Sequence, residues 1–220
     1  MRRFYTLGGL LVASCVLLGA CGAAPQRLDA REYPGVVHTP AHYPGDFLAR
    51  QHIDVRHGER AGGFDAVLQK RGDHLVLLAL TPYGSRAFVI EQRGRTITFT
   101  SSMQRELPFP PRFILLDVHR ALLAGLPRPA GAPLPDGTHD AVIDGERVHE
   151  RWSAAHLVER RFTRVDARPA GAIVVRYGGR GLAADGTPTG VVTLTNGWLG
   201  YVLRVTTTER RSLPAAPPAR

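Results

Sequence analysis

Apolar and polar residues alternate along most of this chain with the period of two that belongs to β-strands. Ile53 and Val55 are followed by Phe64, Ala66 and Leu68, then by apolar runs at 75–80 and 87–90 and by an alternating segment at 96–100. Each is set off by a turn rich in glycine, proline or charge. A second series occupies 141–143, 146–152, 157–162, 173–177, 191–195 and 201–207. Ten or eleven short strands joined by tight turns predict a mainly β, α+β fold built on an antiparallel sheet or barrel.

Between the two series, residues 114, 115, 118, 121 and 122 are apolar at helical spacing. Pro110 and Pro111 precede them and Gly125 follows, so the spacing predicts a helix over 113–123. Phe113, Leu116 and Leu123 widen its apolar surface, leaving Asp117, His119 and Arg120 as the residues expected to look outward. A helix this apolar is expected to be buried on more than one side.

The runs at 75–80 and 87–90 are apolar on both faces, whereas 96–100 alternates. A sheet with one wet face does not require that. Either a second layer covers the outer face, or the inner face lines an apolar cavity roofed by the helix. For the cavity, the candidate lining residues are Leu77, Phe88 and Ile90 on the strands and Leu115 and Leu122 on the helix. Between the two apolar strands stand Pro82, Tyr83 and Gly84. Proline and glycine already supply the turn geometry, so the Tyr83 ring is expected to be free, and these three residues form a candidate membrane-contact loop.

Arg2 and Arg3 precede an apolar stretch over 4–20 that ends in Leu18-Gly19-Ala20-Cys21. Charged start, apolar core and small-residue end read as a signal peptide over 1–20; the stretch is short and weak for a membrane-spanning helix. The cysteine matches the lipobox of bacterial lipoproteins, which makes Cys21 the expected lipidation site. Acyl chains there stabilise membrane insertion by about 0.8 kcal/mol per buried CH₂. Cys15 leaves with the signal, so no thiol remains for a disulfide, a metal or a nucleophile. Gly22 after the cysteine fits sorting to the outer membrane, facing the periplasm. Residues 21–45, with four prolines, are expected to be a lipidated tether, residues 46–210 the domain, and 211–220 a disordered tail.

The formal charge is +9, and Lys70 is the one lysine among 28 basic residues. No dense basic run occurs, so charge names no nucleic-acid partner. His38 and His42 lie in the proline-rich segment and His52 and His57 flank a strand, so the nine histidines are expected to be scattered over the surface, with no metal or cofactor site. No Gly-x-Ser-x-Gly elbow or phosphate-binding glycine loop occurs. Asp144-Gly145 is a hairpin turn signal, Arg160-Arg161 is expected at a solvated strand edge, and Trp152 and Trp198 in the core. No catalytic constellation is predicted.

Residues 73–88 (DHLVLLALTPYGSRAF), 107–118 (LPFPPRFILLDV) and 194–203 (LTNGWLGYVL) resemble a bacterial lipoprotein family, domain of unknown function 3261. That family is distantly similar to LolB, the outer-membrane lipoprotein receptor, and to its periplasmic carrier LolA. The resemblance implies an incomplete antiparallel barrel with a helical lid, whose concave apolar face holds lipoprotein acyl chains or an aryl-polyene-type lipid. It also implies a LolA-like carrier as partner and help with cargo transfer or insertion at the outer membrane. Tyr83 stands where LolB presents a protruding apolar residue. The alternative is a non-enzymatic adaptor subunit of an envelope assembly or export machine.

Overall fold

The computed structural model describes residues 33–103, 107, 109–129, 132–166 and 171–214. The predicted signal peptide, Cys21 and residues 215–220 lie outside the described residues. The first meander runs through β1 (Phe47–His57), β2 (Arg60–Arg71), β3 (His74–Leu80), β4 (Arg86–Arg93) and β5 (Thr96–Ser101). Helix α1 (Pro111–Val118) follows and continues into a π-helical turn, His119–Leu123. The second meander is β6 (Gly137–Ile143), β7 (Glu146–Ser153), β8 (His156–Arg164), β9 (Ala172–Tyr177), β10 (Val192–Asn196) and β11 (Tyr201–Ser212).

The eleven strands among the described residues form one antiparallel sheet in the order β5-β4-β3-β2-β1-β11-β10-β9-β8-β7-β6. The two meanders join where β1 pairs with β11, from Phe47 opposite Ser212 to His57 opposite Tyr201. The right-handed twist of so wide a sheet curls it, but β5 and β6 remain edges and the barrel stays open. The mainly β fold with an unclosed barrel is as the sequence predicts. Alternation sets the faces: β1 buries Phe47, Ala49, Gln51 and Ile53 and turns Arg50, His52, Asp54 and Arg56 outward. On β3, Leu75, Leu77 and Ala79 are buried on the concave side, while Val76 and Leu78 are half-buried on the convex side.

Because every pair is antiparallel, successive turns alternate between the two ends of the sheet. The β1–β2, β3–β4 and β10–β11 turns share one end, here the mouth end. The β5–β6 connection leaves at the mouth end and enters β6 at the opposite end, carrying α1 along the concave face.

Residues 33–45, expected as tether, are instead packed as a strap. Tyr33, Val37 and Tyr43 are buried, with the Tyr33 ring 4.3 Å from that of Phe113 on α1. The His38 carbonyl accepts from Gln92 Nε2 on β4 at 2.6 Å, while its ring meets Asp144 of the β6–β7 turn at 2.6 Å. The strap therefore links the two meanders across the open side. Lys70 fastens its end, donating to the Gly45 carbonyl at 2.9 Å and to Asp46 Oδ1 at 3.2 Å. The prolines stiffen the segment, but the apolar side chains between them decide where it lies. At the other end β11 continues past 210, with Arg211 and Ser212 paired to Leu48 and Phe47.

Leu115, fully buried at the centre of this packing, should be sensitive to truncation. Leu115→Ala is expected to lower unfolding free energy by about 2–5 kcal/mol, the range for a deleted buried leucine, read from the urea midpoint at unchanged m-value.

Candidate functional site

A cavity of about 220 Å³ lies between the helix and the sheet. Ile53 and Val55 of β1, Phe64 of β2, Leu77 of β3 and Phe88 of β4 form one wall; Val192, Leu194, Leu203 and Val205 of β10 and β11 continue it. Ile114, Val118, Ala121 and Leu122 close it from the helix, with Leu107 and Phe109 from the segment before. Phe109 stacks on Tyr201 with ring centroids 5.2 Å apart. Val55 and Phe64 are only partly covered, His57 is exposed, and all three stand toward the turn between β1 and β2, so the cavity opens at the mouth end.

The other side of the helix is polar. Asp117, His119 and Arg120, expected to look outward, are all buried, as is Arg160, expected at a solvated edge. The reason is the composition of the concave face, where Gln92, Glu146, Glu150 and Asn196 are also buried. Asp117 accepts from Tyr33 Oη at 2.6 Å, Asn196 Nδ2 at 2.9 Å, Arg120 Nη1 at 3.1 Å and the Tyr201 hydroxyl. Four donors match the acceptor capacity of a carboxylate. Burial, with the Asp117 charge beside them, raises both phenols far above the usual tyrosine range. Arg120 Nη2 also donates to the Glu146 carboxylate at 3.0 and 3.1 Å and to the Pro34 carbonyl at 2.5 Å. Burial raises Glu146, with Arg120 opposing it.

A second cluster stabilises the end of the helix. Arg160 Nε donates to Glu150 Oε1 at 2.6 Å and its Nη1 to the Arg120 carbonyl at 2.8 Å. Tyr177 Oη donates to the Ala121 carbonyl at 2.8 Å. These satisfy carbonyls that a helix C-terminus leaves unpaired, and the cation suits that end of the dipole. Burial alone would raise Glu150, but Arg160 beside it and Trp152 Nε1 at 2.9 Å bring it below the usual range.

His119 Nε2 is 2.8 Å from Gln92 Oε1 and its Nδ1 is 3.3 Å from Tyr43 Oη. Gln92 spends its amide hydrogens on the His38 and Gly94 carbonyls, so its oxygen accepts from His119 Nε2–H and the Tyr43 hydroxyl donates to Nδ1. His119 is therefore neutral and inside, not one of the surface histidines expected. Burial, with His38 and Arg120 nearby, pushes it down to about 4. Among the described residues, no three His, Cys, Asp or Glu side chains group as a metal site.

Of the predicted lining residues, the structure places Leu77, Phe88 and Leu122 on the cavity, while Ile90 and Leu115 lie in solid core. Pro82, Tyr83 and Gly84 form the β3–β4 turn at the mouth end, with Tyr83 96% exposed. Trp152 and Trp198 are buried, as expected, and Asp144 with Gly145 makes the β6–β7 hairpin turn, both at positive φ. Sequence reading missed the wall from β10 and β11 and the buried polar network.

An open antiparallel barrel with an interior helix and an apolar cavity beside it is the class that this geometry defines. Within it, the chain belongs to the family described as protein of unknown function DUF3261, whose profile matches residues 48–209. No curated protein matches the sequence. The chain is similar to a crystal structure of a LolA superfamily protein from Nitrosomonas europaea, at 14% identity and TM-score 0.40, covering 77% of this chain and 88% of that one. It is also similar to a domain from Vibrio parahaemolyticus named for outer membrane lipoprotein sorting, at 11% identity and TM-score 0.44, covering 79% and 88%. A DUF1329 family protein from Desulfovibrio piger gives 9% identity and TM-score 0.33, covering 78% and 87%.

The buried imidazole makes stability pH-dependent. His119 stays neutral in the fold until pH falls to about 4, whereas an unfolded histidine takes its proton near 6.5, so below 6.5 the unfolded state binds more protons. Stability should be full above pH 6.5 and fall by about 3 kcal/mol between 6.5 and 4. Urea titrations across that window should show the slope in the wild type and a shallower one in His119→Gln.

Proposed function

We propose that this protein is a lipoprotein, anchored by Cys21 to the periplasmic face of the outer membrane, that holds a hydrophobic chain in the cavity and assists its transfer or insertion. The cavity carries this reading. Its volume, about 220 Å³, exceeds the roughly 150 Å³ at which an apolar cavity already accepts a benzene-sized guest. The size suits a segment of one chain. Asp117 and Tyr201 touch the lining but spend their polar atoms on each other, so the walls favour hydrocarbon. The cargo is an acyl chain of a lipoprotein or an aryl-polyene-type lipid, received from a LolA-like carrier. Tyr83 extends beside the mouth, where an aromatic ring suits the headgroup region of a bilayer.

An adaptor role is the second reading, favoured by one feature. Val67, Leu78 and Val89 sit side by side on the convex face by strand register and are only half-buried. A fluorescent apolar probe separates the two, since Val118→Asp should abolish uptake by a cavity and leave uptake by the convex face.

Two further outcomes test the primary reading. Cys21→Ser should leave an unprocessed precursor that does not fractionate with the outer membrane; normal processing would remove the lipoprotein assignment. Tyr83→Ala should shift the melting temperature by less than a few degrees and reduce binding to phosphatidylethanolamine–phosphatidylglycerol liposomes. A large stability loss with unchanged liposome binding would make the ring structural.

A further inference from the structure

At the end opposite the mouth, a groove of about 480 Å³ runs between the chain that follows the helix, the start of β1 and the β9–β10 loop. Two arginines on its walls differ from the buried arginines already described. Arg128 lies over the Trp152 ring, its Cζ 4.7 Å from the centroid, and Arg210 over Phe47 at 3.8 Å. Neither has a carboxylate within ion-pairing distance among the described residues. Arg128 makes one long bond, Nη2 to the Ala184 carbonyl at 3.4 Å, and its Nη1 is buried with no partner. Arg120 and Arg160 have their carboxylates; Arg128 and Arg210 have aromatic faces instead.

Stacking holds a guanidinium by its face and leaves the donor edge free for an oxyanion. The acids on the groove are otherwise occupied: Asp144 meets His38, and Asp185 Oδ1 accepts from Thr187 N at 2.9 Å. Glu150, behind Arg160, already accepts from Arg160 Nε, Leu126 N and Trp152 Nε1. Burial holds both Arg128 and Arg210 below the usual arginine range; at Arg128 Arg160 adds to the effect and Glu150 offsets it, and at Arg210 Asp185 offsets it. Gly125 lets the chain pass close over the Arg160–Glu150 pair, since a Cβ there would stand 2.3 Å from Arg160 Nη2.

Leu122 lines both this groove and the apolar cavity. One side chain of the π-helical turn thus stands between a hydrocarbon space and two arginines that make no ion pair among the described residues. We propose that the groove is a headgroup site for a single-chain anionic amphiphile, whose carboxylate or phosphate oxygens accept from Arg128 and Arg210 while its chain passes Leu122 into the cavity. The proposal rests on the cavity reading above and narrows its ligand to one with an acidic end.

The test uses the full chain in phosphatidylcholine nanodiscs, with a photoactivatable fatty acid and the fatty alcohol of the same chain, crosslinks being mapped by mass spectrometry. The acid should label β1 and β11 about tenfold more than the alcohol, as charge-assisted hydrogen bonds to a buried headgroup require. Arg128→Gln and Arg210→Gln should bring that ratio toward one, with melting temperature followed to exclude misfolding, and Asp185→Asn should raise it. Leu122→Trp should cut cavity labelling by both probes. Equal labelling in the wild type, or a ratio that survives both arginine substitutions, overturns the headgroup site and leaves the cavity reading intact. No labelling by either probe overturns both. Inorganic phosphate that suppresses the acid's advantage supports recognition of the oxyanion itself; phosphate binding that depends on the arginines without any labelling by the acid would make this a free-anion site and overturn the amphiphile.

Discussion

Asp117 carries a negative charge into the concavity of an open barrel, and a buried carboxylate is tolerable only where donors surround it. Its four donors come from the strap, from the helix itself, and from β10 and β11. The bonds fix the rotation of α1, a helix of eight residues that apolar packing alone would hold loosely. Rotation in turn decides which side chains face which space: Ile114 and Val118 toward the cavity, Arg120 toward Glu146. Removing one partner from such a cluster leaves an uncompensated charge, at a typical cost of about 3–5 kcal/mol. The cluster is thus better understood as setting position than as adding net stability.

Strands and helix were legible because period two and period 3.6 survive in the sequence. The helix's outward face was not, since the reading took charge to mean solvent. The corrective signal was present in β7, where Glu146 and Glu150 share parity with Val148 and Trp152 and so point the same way. Arg160 likewise shares parity with Phe162. A polar concave face should have suggested polar partners on the helix. Parity gives the face of a residue but not its depth along the barrel. Leu77 and Ile90 are cross-strand partners, yet one lines the cavity and the other packs solidly behind it.

The strap shows a different limit. Four prolines in residues 25–44 read as spacer, because proline excludes helix and central strand. It does not exclude a fixed extended path, and Tyr33, Val37 and Tyr43 supply the apolar contacts for one. Lys70 was conspicuous as the one lysine, and its place is structural: a slender amine on a long stem reaches the Gly45 carbonyl inside the strap, where a planar guanidinium would need more room.

The seam between β1 and β11 has a kinetic consequence. Each meander is built from neighbours in sequence and can form as soon as its own strands exist, but the central pairing sets Phe47 against Ser212. Such distant contacts bear the full entropy of loop closure and are slow to form. Until the last strand arrives, β1 and β10 each present an open edge, and such edges pair with whatever strand is near. The chain is thus most vulnerable to wrong partners in the interval before its two halves are zipped down the middle, and a holdase that covers β1 during that interval would protect it.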